Sequence, residues 1–479
     1  MNGLPRLTRL RPAPAHGIVH LGLGAFFRSH GSLVIEDAIA SGGGDWGITG
    51  VSLRSPDIRD RLVPQDCAYT AVEMKPAGRN VRTVGVVRDV LFAPENAQAL
   101  LELMAHPSTR IVTLTVTEKG YCHVPSSGVL NHDHPDVQHD VSAALPRSAI
   151  GYIVRALQSR RNAGLRPFTV VSCDNLPDNG RVARNVVTGL AQLLDPDLAE
   201  WIGTEGCFPS TMVDRIVPAV TETSISDLAA ETGMFDAAPV FHEPFLQWVI
   251  EDHFVDGQRP AFEAVAGVRM VTDVAPFEAM KIRMLNGTHS ALAYLGYLAG
   301  YETISDTVAE EQFREYAKHL WSREIIPTID PPQDTDLSRY ADDLLARYEN
   351  PAIRHRTWQI AMDGSQKLPQ RILGTIADNV SAGRDCDGLC LAVAAWMRYV
   401  GGIDEAGLPI DVRDPLAESL RALSDGADGP ESKAHALLGV SDVFGKLIND
   451  ATGRAITNAF VKLHRSGAAR CVEELIAKN

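Results

Sequence analysis

The stretch His20-Leu-Gly22-Leu-Gly24-Ala-Phe-Phe27-Arg28 closes a β-branched run at residues 17–23 and opens a helical pattern at 29–40. A strand, a tight glycine turn and a helix make up the unit that cradles the pyrophosphate of a dinucleotide. Gly22 permits the turn, and Gly24 lets the backbone approach a phosphate. The helix N-terminus adds amide hydrogens and a favourable dipole. Phe27 stands where the third glycine of that fingerprint is usual, so the turn alone also fits a plain strand–helix connection.

Working outward, short β-branched runs at 46–53, 110–116, 168–173 and 211–217 alternate with helical spacing at 94–105, 148–163 and 180–194. Largely apolar strands between helices predict a doubly wound sheet covered on both faces. Residues 69–92 read as additional antiparallel strands inserted into that pattern. After Pro276 the spacing turns helical, at 276–298, 310–320, 337–347, 368–380 and 389–400, and strand signals become rare. The expected architecture is therefore α/β and bipartite. A Rossmann-like dinucleotide-binding domain over 1–275 precedes a mainly α-helical substrate and catalytic domain over 276–479. The Ala/Gly/Asp-rich stretch 424–432 reads as a flexible loop.

A chain of 479 residues has ample length for two or three cores. Its formal charge of -15 argues against generic nucleic-acid or anionic-membrane binding, and an anionic substrate must be captured by local positive charge. No apolar run is long enough to span a bilayer, and the N-terminus lacks the apolar core of a secretory signal. A cytoplasmic location is expected. Seven dispersed cysteines do not form a disulfide framework. The run Asn131-His-Asp-His-Pro-Asp-Val-Gln-His-Asp140 reads as a solvated loop, and no metal site is expected there.

The chemistry concentrates in Lys281-Ile-Arg-Met-Leu-Asn286-Gly-Thr-His289. On an α-helix Lys281 and His289 lie about 80° apart, and Asn286 and His289 are i,i+3 neighbours. A cation, an amide and an imidazole on one face suit interconversion of a carbonyl and an alcohol. From spacing alone, a surface lysine, a capping asparagine and a satisfied core histidine fit better. No Ser/Tyr-x3-Lys dyad and no zinc-ligand set offers a competing proton donor.

These residues reproduce the Lys-x4-Asn-x2-His signature of the polyol-specific long-chain dehydrogenases, and the chain resembles that family, the mannitol dehydrogenases. The likeness continues through Thr115-Val-Thr117-Glu-Lys-Gly-Tyr-Cys122, Val171-Ser-Cys-Asp-Asn175-Leu-Pro177, Met212-Val-Asp214-Arg-Ile-Val-Pro218, Glu243-Pro-Phe-Leu-Gln-Trp-Val-Ile-Glu-Asp252 and the block 354–371. The resemblance implies NAD as cofactor, a sugar acid or polyol as substrate, and an active site between the two domains. Within the family it is nearest to the branch that reduces D-fructuronate to D-mannonate, with mannitol oxidation as the alternative and a non-catalytic dinucleotide sensor as a remote one.

Residue by residue, the resemblance implies that Lys281 is the general acid/base, that Asn175 and Asn286 hold the alkoxide, and that His289 binds a substrate hydroxyl. Gly22, Gly24, Ala25, Phe26, Thr115 and Thr117 are expected at the cofactor. Asp57, beyond the second strand, is the expected ribose partner, while Arg54 could instead accept a 2′-phosphate. Asp214 and Lys367 match substrate contacts, an Asp214–Arg215 ion pair being the structural alternative for the first. The family arginine eight residues before Lys367 is replaced by Gln359. Arg356 or Arg371 is therefore the expected anchor for a carboxylate. Arg283 points to another face of its helix. The family also carries His and Gln where this chain has Phe27 and Gly31. A monomer or small homo-oligomer is expected.

Overall fold

A strand that places Ile18 on one side and Val19 and Leu21 on the other must be covered on both faces. In the computed structural model, which describes residues 4–125, 127–445 and 447–478, both faces are covered. The chain divides into two compact units, Met1–Ala275 and Pro276–Asn479. The first is built on a five-stranded parallel sheet of β1 (His16–Leu21), β2 (Gly47–Ser52), β3 (Val87–Phe92), β4 (Ile111–Leu114) and β5 (Thr169–Ser172). Their spatial order is β3-β2-β1-β4-β5, the doubly wound order whose direction reverses between β1 and β4. Val19, Leu21, Val51, Val112, Leu114 and Val170 pack against the helices Ala149–Asn162 and Asn179–Leu194. Ile18, Ile48, Ile111 and Val171 bury the opposite face beneath the helix Gly31–Gly42.

Three sequence expectations are corrected in this unit. Tyr69–Lys75 and Gly78–Val84 do form an antiparallel hairpin, but Val87–Phe92 is a parallel edge strand of the main sheet. An edge strand is solvated on one side, so its polar residues Arg88 and Asp89 imitate a solvent-facing antiparallel strand. The run Thr211–Asp214 joins a separate three-stranded sheet with Gln247–Glu251 and Val268–Val271. Residues 135–142 are a helix rather than a loop, capped by the His134 side chain, which accepts the Asp136 N–H. Pro at the first helical position and an acceptor just before it are helix-start signals.

The second unit is mainly helical. The helix Ala275–Met280, whose first residue belongs to the preceding unit, runs without a break into a π-helical stretch Lys281–Gly287 and on into Thr288–Leu298. Two further π-helical stretches, Leu320–Ile325 and Pro369–Leu373, belong to the same unit. A widened turn disturbs the i→i−4 hydrogen-bond ladder. Here Trp321 Nε1 donates to the Met284 carbonyl at 3.0 Å and Tyr348 Oη to the Leu285 carbonyl at 2.9 Å. A Cβ on Gly287 would lie 2.7 Å from the Arg371 carbonyl oxygen, so glycine lets two of the π-helical stretches touch backbone to backbone. The expected loop at 424–432 is instead the junction of helices Ala417–Asp425 and Gly429–Leu438. No helix among the described residues is long and apolar enough to cross a membrane. All seven cysteines are buried free thiols.

Candidate active site

In the first unit the carboxyl ends of the strands open on a cleft of about 560 Å³ lined by Gly22, Gly24, Arg54, Asp57, Thr115 and Thr117, among others. It lies where the strand order reverses, the place at which open α/β sheets bind nucleotides. Gly22 has φ +94, and a side chain there would collide with the Thr115 carbonyl. Gly24 is different: an added Cβ would meet only the Gly22 carbonyl oxygen, at 3.8 Å. Its freedom is toward the cleft, as the close approach of a phosphate demands. Ala25 and Phe26 form the first turn of the helix Ala25–Ser29 beside the cleft. A first turn leaves backbone N–H groups without intrahelical acceptors, and this one has no side-chain cap.

A buried network fixes the turn. The Thr115 hydroxyl donates to the Gly22 carbonyl at 2.8 Å, so it accepts from His20 Nε2 at 2.9 Å. His20 Nδ1 then accepts from the Thr113 hydroxyl at 2.8 Å. Burial, followed by the charge of His30, pushes the His20 pKa well down, which keeps this imidazole neutral. The Phe27 ring lies flat on His20, centroids 3.4 Å apart, and a side chain on Gly31 would run into that ring. The two departures from the family pattern are thus one packing solution: the larger Phe27 needs Gly31 beneath it.

Thr117 has φ +62 and ψ 164, a region that β-branched residues avoid. It is held there by Asp174, which accepts the N–H groups of Val116 at 2.9 Å and Thr117 at 3.0 Å and the Tyr121 hydroxyl at 2.8 Å. Asp174 is a positioning residue that sequence reading passed over, although it stands directly before Asn175. Burial raises its pKa, and these hydrogen bonds oppose the rise. Asn175 is exposed on the loop after β5, and Asp214 is buried at the end of its strand. Arg215 directs its guanidinium to the carbonyls of Ser29, Pro244 and Phe245.

Asp136, Arg147 and Ser148 also line the cleft and were not anticipated. Asp136 pairs with Arg147 at 2.6 Å. Cys122, His134 and Asp136 bring potential ligand atoms within 4.8 Å of one another, in the region read from sequence as a loop without a metal site.

In the second unit, each bland reading of the Lys-Asn-His signature fails geometrically. Lys281 is buried, at 7% exposure, not a surface residue. Asn286 lies inside a continuous helix, where it caps nothing, and its carboxamide has no hydrogen-bond partner among the described residues. His289 is buried with its Nε2 unpartnered. Its ring stacks on Tyr348, with centroids 5.0 Å apart. Burial, then His355, Arg371, Arg347 and Lys367, drive its pKa well below the ordinary value, so it is neutral.

The structure separates the candidate carboxylate anchors. Arg371 lies among neighbouring groups and donates to Ser290 Oγ at 3.1 Å. Burial lowers its pKa, and no carboxylate pairs with it among the described residues. Lys367 donates to the Met362 carbonyl at 2.6 Å, and burial, then Arg371, brings its pKa down to about 8. Arg356 does not join them. It is exposed and faces Glu302 at 3.6 Å. Arg283 pairs with Asp378 and with the Thr328 carbonyl, away from this cluster.

The profile of the mannitol dehydrogenase Rossmann domain matches residues 16–264, and that of the mannitol dehydrogenase C-terminal domain matches 273–464. The chain is 48% identical to the uncharacterized oxidoreductase YeiQ of Escherichia coli, covering 94% of this chain and 93% of that one. It is 46% identical to the D-mannonate oxidoreductase of Escherichia coli over 96% and 95% of the two chains. The mannitol 2-dehydrogenase of Pseudomonas fluorescens, solved with NAD and D-mannitol, superimposes with a TM-score of 0.88 at 38% identity, over 97% of this chain and 95% of that one.

Proposed function

This chain belongs to the mannitol dehydrogenase family, and from that premise we propose that it is an NAD-dependent fructuronate reductase, interconverting D-fructuronate and D-mannonate. The observation that carries the substrate assignment is the Arg371 guanidinium, which has a hydroxyl partner but no carboxylate among the described residues, with Lys367 beside it. A guanidinium fork matches a carboxylate with two parallel hydrogen bonds. Such a contact matters more in a chain whose net charge of -15 repels anions.

The cleft of the first unit fits a dinucleotide: Gly24 is open toward it, and Asp57 stands at its rim for the adenosine ribose. Bound NADH supplies the hydride for the keto carbon. Lys281 delivers the proton to the nascent alkoxide, and takes it back in the oxidation. The Asn286 amide donates to that oxygen as charge develops. His289 orients a substrate hydroxyl, while Arg371 and Lys367 hold the carboxylate. Incubation with NAD and D-mannonate should generate NADH and the corresponding keto acid. No NADH from any sugar acid or polyol would overturn the reading in favour of a dinucleotide sensor. Mannitol 2-dehydrogenase activity is the second reading, favoured by the relative solved with NAD and D-mannitol.

Coenzyme choice follows from Asp57, which accepts from ribose hydroxyls and repels a 2′-phosphate. NADH should be preferred, and Asp57→Ala should narrow the gap mainly by improving NADPH affinity. Coenzyme titrations of both proteins check this. A wild-type preference for NADPH would hand control of the site to Arg54, which lines the same cleft.

The Lys367 amine gives a pH signature. With its pKa lowered to about 8, it is an ammonium below that value and neutral above it. One unit above a pKa only about a tenth of the charged form remains. KM for the uronate should therefore rise between about pH 7 and pH 9, whereas KM for neutral fructose should stay flat. Parallel profiles for the two substrates would remove Lys367 from carboxylate binding.

A further inference from the structure

One imidazole beside this cluster has no role so far. His355 sits edge-on to His289, ring centroids 4.7 Å apart at 80°. Its Nδ1 is buried without a hydrogen-bond partner among the described residues, as is Nε2 of His289. Its backbone is pinned: the His355 carbonyl accepts the Ile304 N–H at 3.0 Å, and Thr303 bridges to Arg356. Arg354 and Arg356 on either side turn outward to Glu302, which leaves His355 the inward position of an Arg-His-Arg run. Burial, then Lys367, takes its pKa down to about 4, so it is neutral at working pH.

Ammonium and guanidinium groups only donate hydrogen bonds, whereas a neutral imidazole also accepts one. A polyhydroxylated acid needs both: donors for its carboxylate and acceptors for its hydroxyl protons. Lys367 and Arg371 supply the former. A buried nitrogen with no protein partner calls for an explanation, and a bound ligand provides one. We propose that His355 is a second substrate-binding imidazole beside His289, accepting a hydrogen bond from a substrate hydroxyl and so contributing to the choice among hydroxyl epimers. This inference rests on the assignment of the Lys367–Arg371 cluster to substrate.

The test is steady-state kinetics of His355→Phe and His355→Asn with whichever keto sugar or sugar acid the wild type turns over best. Phenylalanine keeps the ring contact with His289 and removes the acceptor; asparagine keeps an acceptor. KM for His355→Phe should rise about tenfold or more with little change in kcat, and His355→Asn should recover part of the loss. NADH affinity and the circular dichroism spectrum should match the wild type in both. A set of mono-deoxy substrates gives the second readout: the analogue lacking the bound hydroxyl should be used equally by wild type and His355→Phe. Unchanged KM in His355→Phe, or the same KM increase for every deoxy analogue, would overturn the proposal. Should His355→Phe misfold, His355→Asn is compared with His355→Leu, and the same two outcomes decide. A wrong substrate class would show already in the wild type, whereas a wrong role for His355 shows only in the variants.

Discussion

Lys281→Ala is expected to lower turnover by roughly two to four orders of magnitude, the range for loss of a general acid/base. NADH affinity should be unchanged, because the dinucleotide cradle is built from residues of the other unit. Lys281 opens a π-helical stretch and is buried. Such widened turns recur at functional sites. A small primary amine added to the variant should restore part of the rate. Stopped-flow hydride transfer and equilibrium NADH binding measure the two halves of this expectation. Near-normal turnover at every pH would make Lys281 structural.

The second large effect is expected at Arg371. Hydrogen bonds to charged groups contribute about 1.5–3 kcal/mol, so Arg371→Ala should reduce kcat/KM for the uronate by about ten- to hundredfold or more. Fructose, which lacks the carboxylate, should lose much less. Arg371→Lys should recover little, because an ammonium cannot reproduce the bidentate fork. Arg356→Ala serves as the control: the exposed Arg356 faces Glu302, and its loss should leave both substrates unaffected. Equal losses for uronate and fructose in Arg371→Ala would point to a packing role through Ser290. Selective loss in Arg356→Ala would restore the candidate that the structure turns away.

Much of this was legible in sequence because the signals are local. Apolar β-branched runs and helical spacing located β1, β2, β4 and β5 together with the helices that cover them, since those strands are buried on both faces. Val87–Phe92 reads as an antiparallel strand in sequence, because an edge strand carries polar residues that mimic antiparallel alternation. The π-helical turn at Lys281–Gly287 was not legible: 3.6-residue periodicity cannot register an added residue per turn, so the angular relation of Lys281 to His289 had to come from coordinates. Arg356 and His355 show the same limit at one-residue resolution, because nothing in Arg-His-Arg tells which side chain points inward. His355 and Asp174 were overlooked although each adjoins a residue that was named. Both act through contacts with segments distant in sequence: His355 faces His289, and Asp174 clamps Val116 and Thr117.

Selection of a carboxylate-bearing keto sugar is decided by wild-type kcat/KM for NADH oxidation with D-fructuronate and with D-fructose near neutral pH. Two charge-assisted contacts, at about 1.5–3 kcal/mol each, predict a preference for the uronate of about a hundredfold or more. Fructose used as well as or better than the uronate would overturn the fructuronate assignment in favour of mannitol 2-dehydrogenase activity.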